Sequence, residues 1–177
     1  MEKFACIVAD PPWRFGDSLP GKSRGATKNY KTMPVEDIRR LILPTHFDNC
    51  YLFLWRVSAM VEEAYSVVRA WGFTPKGEIV WAKNTATGKQ HFGMGRHVRA
   101  AHESCIIAVK GKPMHRSDSV RSVLHAATGE HSEKPDSFYY MVTQICFGPY
   151  VDLFARKQRE GWTSVGLNLG TEILCNP

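Results

Sequence analysis

The feature that most constrains the fold is a set of short apolar runs that show no polar alternation. They are rich in β-branched and aromatic side chains and occupy residues 4–9, 50–55, 78–82, 105–110 and 150–155. A strand with one face in water alternates apolar and polar residues, whereas a strand covered on both faces is continuously apolar. The sequence therefore predicts a mostly parallel sheet with both faces covered.

Three helical segments, 34–42, 58–72 and 134–148, lie between these strands. The first and the third begin with a proline and acidic residues, which suit the first turn of a helix. The second has Ser58 as a candidate N-cap and Gly72 as a stop. Strands alternating with helices predict an α/β fold with helices on both faces of the sheet and ligands at the carboxyl ends of the strands.

Two polar stretches fit no regular element. Residues 84–103 contain three glycines, and residues 111–133 are rich in serine and histidine. Loops of about 20 residues are uncommon in a compact domain unless they serve a function, so we expect both stretches to lie near a binding site.

Length and composition limit the class of protein. A chain of 177 residues predicts a single domain over residues 1–177. The apolar runs are far too short to cross a bilayer and no secretory signal is recognisable, so we expect a cytoplasmic protein without membrane contact. Five scattered cysteines predict no disulfide framework. No histidine has cysteines or carboxylates at ligand spacing, so we expect no metal site.

The charge distribution favours a polyanionic partner. The net charge is +6, and residues 14–31 carry five lysines or arginines against one acid. This stretch has no helical or strand period, which predicts a basic loop directly after the first strand. Nucleic acid is the partner that such a loop fits.

The sequence "DPPW", at residues 10–13, ends the first strand and suggests chemistry on an amine. The exocyclic amine of a nucleobase is a weak nucleophile because its lone pair is delocalised into the ring. The Asp10 carboxylate and the Pro11 carbonyl would accept its two N–H bonds and localise that lone pair. Pro12 would keep the corner rigid, and Trp13 would offer a flat face to a base. An aspartate and two prolines also fit an ordinary turn that ends a strand.

The chain resembles the MT-A70-like family of adenine methyltransferases in its compact bacterial or phage form. The resemblance rests on an ordered set of motifs: "ADPPW", "YKTM", "YLFLW", "EIVWAK", "GMGRHVRAAHESCIIAVKG", "HSEKPDSFY" and "YVDLFAR". It implies a Rossmann-like methyltransferase fold, permuted so that the DPPW strand precedes the cofactor-binding strand. It also implies S-adenosylmethionine as methyl donor and the N6 amino group of adenine in nucleic acid as acceptor.

The resemblance also implies site residues. The catalytic positions are Asp10, Pro11, Pro12 and Trp13. Substrate contacts fall on Tyr30, Trp55, Lys83, Arg96, His102 and Glu103, and cofactor contacts fall on Ser132, Lys134, Asp152, Phe154, Arg156, Gln158 and Asn168.

Simpler structural roles remain open for several of these residues. Tyr30 also fits a loop aromatic, Trp55 a core residue and Lys134 a solvated lysine at a helix start. The basic residues around Arg96 fit either a solvated loop or phosphate contacts. Asp152 is an acid inside an apolar strand, so it needs a partner, for which Arg156 is a candidate.

Two departures from the family pattern concern the cofactor site. The usual glycine-asparagine after "GW" is replaced by "GWTSVGLNLG", which displaces Asn168 by one position. The first strand begins at residue 4, so we expect a minimal catalytic core without the upstream segment of eukaryotic members.

Three functions are compatible with these patterns. The favoured one is N6-adenine methylation of nucleic acid, with DNA preferred over RNA because the chain resembles compact phage and bacterial enzymes. The alternatives are a non-catalytic nucleic-acid-binding subunit and a methyltransferase for the exocyclic amine of cytosine. A homodimer or a second subunit is possible in each case.

Overall fold

The computed structural model of the chain describes residues 2–14, 32–95, 97–129, 133–166 and 169. Along the chain the elements are β1 (Phe4–Ala9), α1 (Val35–Arg39), β2 (His46–Arg56), α2 (Val61–Ala70), β3 (Thr74–Asn84), β4 (His102–Lys110), β5 (Val123–Ala127), α3 (Asp136–Ile145), β6 (Tyr150–Leu153) and β7 (Trp162–Val165). Tyr30, Arg96, Ser132 and Asn168, predicted as site residues, lie outside the described residues.

The strands form one seven-stranded sheet in the order β5-β3-β4-β2-β1-β6-β7. β1 pairs in parallel with β2 and β6, β6 with β7, and β3 with β5. Only β4, among the described strands, runs the other way and pairs antiparallel with β2 and β3. The predicted α/β fold with a mostly parallel sheet is confirmed, and the structure adds one reversed strand at its centre.

Each face of the sheet has its own apolar core. Leu52, Leu54 and Ile106 point to the face covered by α1 and α2, and Phe53 and Cys105 point to the face covered by α3. Successive side chains of a strand point to opposite faces, so a strand buried on both sides needs apolar residues at every position. This explains why the central strands are continuously apolar, and it confirms helices on both faces.

The structure corrects three details of the sequence interpretation. Residues 111–133 are not a loop throughout, because β5 lies within them as an edge strand. β7 is also present, although no continuous apolar run in the sequence predicts it. Ser58 is not a helix cap, since α2 begins after Met60 and no side chain caps it.

Four cysteines, Cys6, Cys50, Cys105 and Cys146, are free and buried in the described part of the chain. Cys175 lies outside the described residues. Within the same residues, no helix has the length and apolar character that a membrane span requires.

Candidate active site

The strand directions bring ionisable side chains to one edge of the sheet. β1, β2 and β6 are parallel neighbours, so their carboxyl ends lie together. β4 is reversed, so its first residues lie at that same edge. Asp10 follows the last residue of β1, and Glu103 is the second residue of β4. The one antiparallel strand therefore delivers a carboxylate that a parallel strand would place at the opposite edge.

These side chains also share a face of the sheet. Val8 lies opposite Asp152 in the register of β1 and β6, and Trp81 lies opposite Glu103 in that of β3 and β4. Val8 and Trp81 belong to the core beneath α3. By strand alternation Asp10 follows Val8 on that face. Asp10, Glu103 and Asp152 are thus gathered at the carboxyl edge, on the side where α3 begins.

Lys134 links the two carboxylates. It precedes α3 and is buried, and its ammonium lies 2.7 Å from Asp10 Oδ2 and 3.2 Å from Glu103 Oε2. The ammonium also lies 5.1 Å from the ring centroid of Trp55, a cation–π contact. A buried cation is costly unless anions surround it, and this one has two. Lys134 therefore fixes the position of the Asp10 carboxylate.

A second lysine completes the network. Lys83, near the end of β3, forms an ion pair with Glu103 Oε1. The two residues are diagonal neighbours on adjacent antiparallel strands, a separation that long side chains bridge. Lys83 also lies 4.8 Å from the centroid of Trp81. The carboxylates and ammonium groups alternate in the order Asp10, Lys134, Glu103, Lys83.

The network shifts the pKa values of its members. Burial acts to raise the pKa of Glu103, but Lys134 and Lys83 outweigh it and hold the pKa below its usual value. Burial acts to lower the pKa of Lys134, but the carboxylates of Asp10 and Glu103 outweigh burial and raise the pKa above its usual value. Both residues are therefore charged at neutral pH, so the cluster is a stable array of alternating charges.

The DPPW corner is held by backbone hydrogen bonds. The Asp10 N–H donates to the Leu153 carbonyl of β6 at 3.3 Å, and the Trp13 N–H donates to the Pro11 carbonyl at 2.8 Å. The Pro12 carbonyl accepts from the Met33 N–H at 2.7 Å. A carbonyl oxygen has two lone pairs, so the Pro11 oxygen retains one for a further donor. The corner is thus a fixed platform from which Asp10 projects.

Trp13 and Trp55 anchor this corner in the two apolar cores of the sheet. Trp13 is buried in the core beneath α1 and α2, and its indole N–H donates to the Trp55 carbonyl at 2.9 Å. Trp55 is buried beneath α3, with its ring centroid 4.6 Å from that of Phe138. Both rings pack in the core, and their contact with a base stays a prediction.

A second ion pair lies beside the first. Asp152 is buried in β6, and its carboxylate accepts from the Arg159 guanidinium at 3.0 Å. Arg159 also contacts Asp136 at 3.3 Å and lies 3.5 Å from the centroid of Tyr139. Burial raises the pKa of Asp152 to about 7, although Arg159 opposes the shift. Arg156 was predicted as a candidate partner of this acid, and the structure shows an ion pair of Asp152 with Arg159.

Tyr139 and Asp136, which hold Arg159 in place, were not predicted as site residues. The available signal was the dense run of basic residues after the β6 strand, "ARKQREGW". Without the loop conformation, that run does not show which of its cations turns back toward Asp152.

The donor groups at this edge fit S-adenosylmethionine. A narrow cavity is lined by Asp10, Glu133, Lys134, Tyr139, Asp152, Phe154, Ala155, Arg156 and Arg159. A carboxylate suits ribose hydroxyls, an aromatic ring suits adenine, and cations suit the methionine carboxylate. Two buried polar atoms near this edge, Trp55 Nε1 and Ser164 Oγ, have no hydrogen-bond partner among the described residues. Phe154 adopts a left-handed backbone with φ 65°, which is a strained conformation typical of a functional site.

Two predicted residues lie outside this cluster. His102 is exposed, and strand alternation turns it to the face opposite Glu103. Gln158 is exposed in a surface cleft between α3 and the loop that joins β6 to β7. Their contacts with substrate and cofactor stay predictions. In the described residues no group of three or more histidine, cysteine, aspartate and glutamate side chains is arranged to hold a metal ion.

The permuted α/β sheet and the acidic corner after β1 define a Rossmann-like methyltransferase fold. The MT-A70 family profile matches residues 4–168, and the chain belongs to this family. Methyltransferases of the MT-A70 family depend on S-adenosylmethionine.

Known proteins with similar sequences carry consistent names. The human N(6)-adenosine-methyltransferase catalytic subunit METTL3 is 29% identical over 187 residues, which cover 100% of this chain and 30% of that protein. The Arabidopsis thaliana N(6)-adenosine-methyltransferase MT-A70-like is 29% identical over 182 residues, 98% of this chain and 25% of that protein. The type II methyltransferase M.MunI of Mycoplasma sp is 28% identical over 189 residues, 95% of this chain and 78% of that protein.

The chain thus spans about 30% of the length of the human relative and most of the length of the Mycoplasma relative. What these proteins share with this chain is the region that carries the DPPW corner and the ion-pair network.

Proposed function

We propose that the protein transfers a methyl group from S-adenosylmethionine to the N6 amino group of adenine in nucleic acid, and that DNA is preferred over RNA. The observation that carries the proposal is the Asp10 carboxylate, fixed at the carboxyl end of β1 by the buried ammonium of Lys134 at 2.7 Å. Relatives named as N6-adenosine methyltransferases support the choice of adenine. The resemblance to compact bacterial and phage enzymes supports DNA, acting in the cytoplasm of a bacterial cell or a phage-infected host.

S-adenosylmethionine supplies an electrophilic methyl group when it is bound. The residues of the chain prepare the amine that receives it. Asp10 accepts one N–H of the target amine, and the remaining lone pair of the Pro11 carbonyl accepts the other. Both acceptors draw the nitrogen lone pair away from the ring. After transfer the methylated nitrogen carries an extra proton, which Asp10 receives directly or through water.

The lysines control the charge at this site. Lys134 and Lys83 together neutralise Asp10 and Glu103, so that a nucleic-acid substrate meets a balanced rather than an anionic cluster. For the cofactor, we propose that Asp152 and Arg156 contact the ribose, Phe154 the adenine and Lys134 the methionine carboxylate. These assignments agree with the position of the four residues around the narrow cavity.

The target adenine must leave its helix to reach Asp10, because its amino group is paired inside a duplex. In this proposal, contacts with nucleic acid fall on the segments around the site or on a second subunit. We propose the segments around the site as the principal contact.

The test is a methyl-transfer assay with labelled S-adenosylmethionine and matched pools of duplex DNA, single-stranded DNA and RNA, followed by mass spectrometry of the nucleosides. We expect N6-methyldeoxyadenosine. N4-methyldeoxycytidine would replace the proposal with the cytosine reaction, and N6-methyladenosine from RNA alone would reverse the DNA preference. Bound cofactor with no product in any pool would indicate a non-catalytic subunit.

A further inference from the structure

The segment between β3 and β4 projects from the active-site edge and exposes apolar side chains. Phe92, Met94 and Val98 are 75%, 78% and 78% exposed. Large apolar residues this exposed, close together and beside a site, are typical of a binding surface. We name residues 90–95 and 97–101 the β3–β4 hairpin.

The hairpin is anchored to the catalytic network at its base. The His91 N–H donates to the Lys83 carbonyl at 2.9 Å, and the Lys83 N–H donates to the Ala101 carbonyl at 2.8 Å. The Lys83 side chain pairs with Glu103, which shares the ammonium of Lys134 with Asp10. The backbone of Lys83 therefore anchors the base of the hairpin, and the side chain of Lys83 belongs to the ion-pair network.

The hairpin has a fixed shape above this base. The Gly93 N–H donates to the Ala100 carbonyl at 3.0 Å. A Cβ added at Gly93 would overlap the Ala100 carbonyl oxygen, and one at Gly95 would overlap the Val98 carbonyl oxygen. The guanidinium of Arg99 lies 4.9 Å from the ring centroid of Phe92 and also donates to the Gly95 carbonyl at 3.4 Å. The exposed phenylalanine is thus presented by a compact turn that only glycines allow.

The charge of the segment between β3 and β4 indicates which kind of partner binds the exposed apolar surface. Residues 85–102 contain three lysines or arginines and three histidines, and no aspartate or glutamate. A surface that binds another protein does not need charges of a single sign. A surface that binds a polyanion needs positive charge. Apolar side chains at the tip and cations around it are the combination that inserts between base steps while neighbouring phosphates are neutralised.

We infer that the β3–β4 hairpin is a DNA wedge: Phe92, with Met94 and Val98, enters the stack where the target adenine leaves the duplex, and Arg99 neutralises an adjacent phosphate. The inference rests on the proposed function and deepens it, because it assigns the step that brings a paired adenine to Asp10. It makes Phe92 a residue that opens the duplex rather than one that takes part in methyl transfer.

The test variant is Phe92→Ala/Met94→Ala/Val98→Ala, and the opposite edge of the sheet offers a matched control. There Phe147 is 45% exposed with the Arg116 guanidinium 5.0 Å from its ring centroid, and Met114 is 76% exposed. Phe147→Ala/Met114→Ala therefore removes a smaller exposed apolar surface, which also includes a phenylalanine under an arginine, away from the site. Thermal unfolding of both variants shows whether either change has disturbed the fold.

Three readouts decide the matter. The first is the affinity for a labelled duplex DNA pool by fluorescence anisotropy, which needs no turnover. The second is the methylation rate on duplex DNA divided by that on single-stranded DNA. The third is the same rate on a duplex in which adenines face abasic sites and are already unpaired. We expect the hairpin variant to bind duplex about tenfold more weakly, to lower the rate ratio about tenfold or more, and to recover most of that ratio on the abasic duplex.

The outcomes separate the two proposals. Unchanged duplex binding and an unchanged rate ratio in the hairpin variant overturn the wedge, as does an equal effect of the control variant. A change confined to the oligomeric mass in light scattering also overturns it, since the hairpin would then contact protein. If wild-type protein binds duplex through the hairpin but methylates no pool, the proposed function fails and with it the delivery of an adenine to Asp10, while the hairpin remains a DNA contact.

Discussion

At the scale of single residues, we expect turnover to depend on Asp10. Asp10→Asn keeps the size of the side chain and removes the negative charge. We expect a fall in the methylation rate of about 100-fold or more, the effect of losing a positioned acceptor. S-adenosylmethionine binding by calorimetry should change little, because Lys134 keeps Glu103 as a partner. Asp37→Asn, an exposed carboxylate on α1, is the control, and a normal rate in the Asp10 variant would contradict the mechanism.

Lys134 is expected to matter for stability as well as for activity. Lys134→Met leaves the carboxylates of Asp10 and Glu103 near one another without the ammonium that separates them. We expect the free energy of unfolding in urea at pH 7 to fall by about 1–3 kcal/mol, less than for a fully buried pair because both carboxylates are partly exposed. Lys134→Met/Glu103→Gln should regain most of this loss. A single variant as stable as wild type would show that the network contributes little.

Asp152 predicts a pH dependence of stability. Its pKa in the folded protein is about 7, above that of an unfolded aspartate. The folded state therefore holds the proton more tightly, so the stabilising effect of protonation is complete below about pH 4 and is lost as pH rises to 7. Asp152→Asn cannot titrate, and its unfolding free energy relative to wild type should rise by about 1 kcal/mol per pH unit between pH 5 and 7. Urea titrations at several pH values measure this, and a constant difference would contradict the shifted pKa.

Residue identities were predictable where a motif fixed them. Asp10, Lys83, Glu103 and Lys134 were all named as site residues, and the structure brings them into one ion-pair network, while their roles in binding and catalysis stay predictions. Arg159 was missed because the cation that reaches Asp152 depends on how the β6–β7 loop folds back, and the order of residues in a basic run does not encode that conformation. For Trp55 the sequence left a core role open beside a pocket wall, whereas the core position of Trp13 was not predicted, since an aromatic ring after a strand suits either place.

At the scale of elements, the β3–β4 hairpin is expected to depend on its glycines. Gly95→Ala adds only a methyl group, but that group would overlap the Val98 carbonyl oxygen and move the tip. We expect the duplex-to-single-strand rate ratio to fall at least about threefold without a large change in melting temperature. Gly77→Ala in β3, where an added Cβ meets no atom within 4 Å, is the control. An unaltered ratio in Gly95→Ala would show that the shape of the tip is unimportant.

Element boundaries followed the strength of the apolar pattern. β1 coincides with its predicted range because all but one of its residues are buried. β5 was missed because it lies at the edge of the sheet, where half-exposed positions tolerate histidine and alanine and leave no apolar run. The reversal of β4 could not be predicted, because a strand covered on both faces has the same continuous pattern in either direction.

At the scale of the whole molecule, the net charge of +6 predicts binding to DNA that depends strongly on salt. Cations released from DNA drive this binding, so the affinity for a duplex pool should fall at least about tenfold between 50 and 200 mM salt. In a plot of log affinity against log salt concentration, Arg99→Gln should make the slope shallower by about one, because one phosphate contact is lost. Anisotropy titrations measure both, and a flat salt dependence in wild type would exclude phosphate contacts as the main source of affinity.

The reversed direction of β4 also affects how the sequence of such a protein can evolve. The β3–β4 hairpin joins two strands that are already hydrogen-bonded neighbours, so its length and sequence can vary without displacing Lys83 or Glu103 at its ends. A parallel arrangement would require a crossover connection there, and every change in that crossover would disturb the packing of the sheet. If the hairpin meets DNA as proposed, the fold separates that contact from the proposed catalytic residues, and we expect that a hairpin from one family member can be grafted onto the sheet of another.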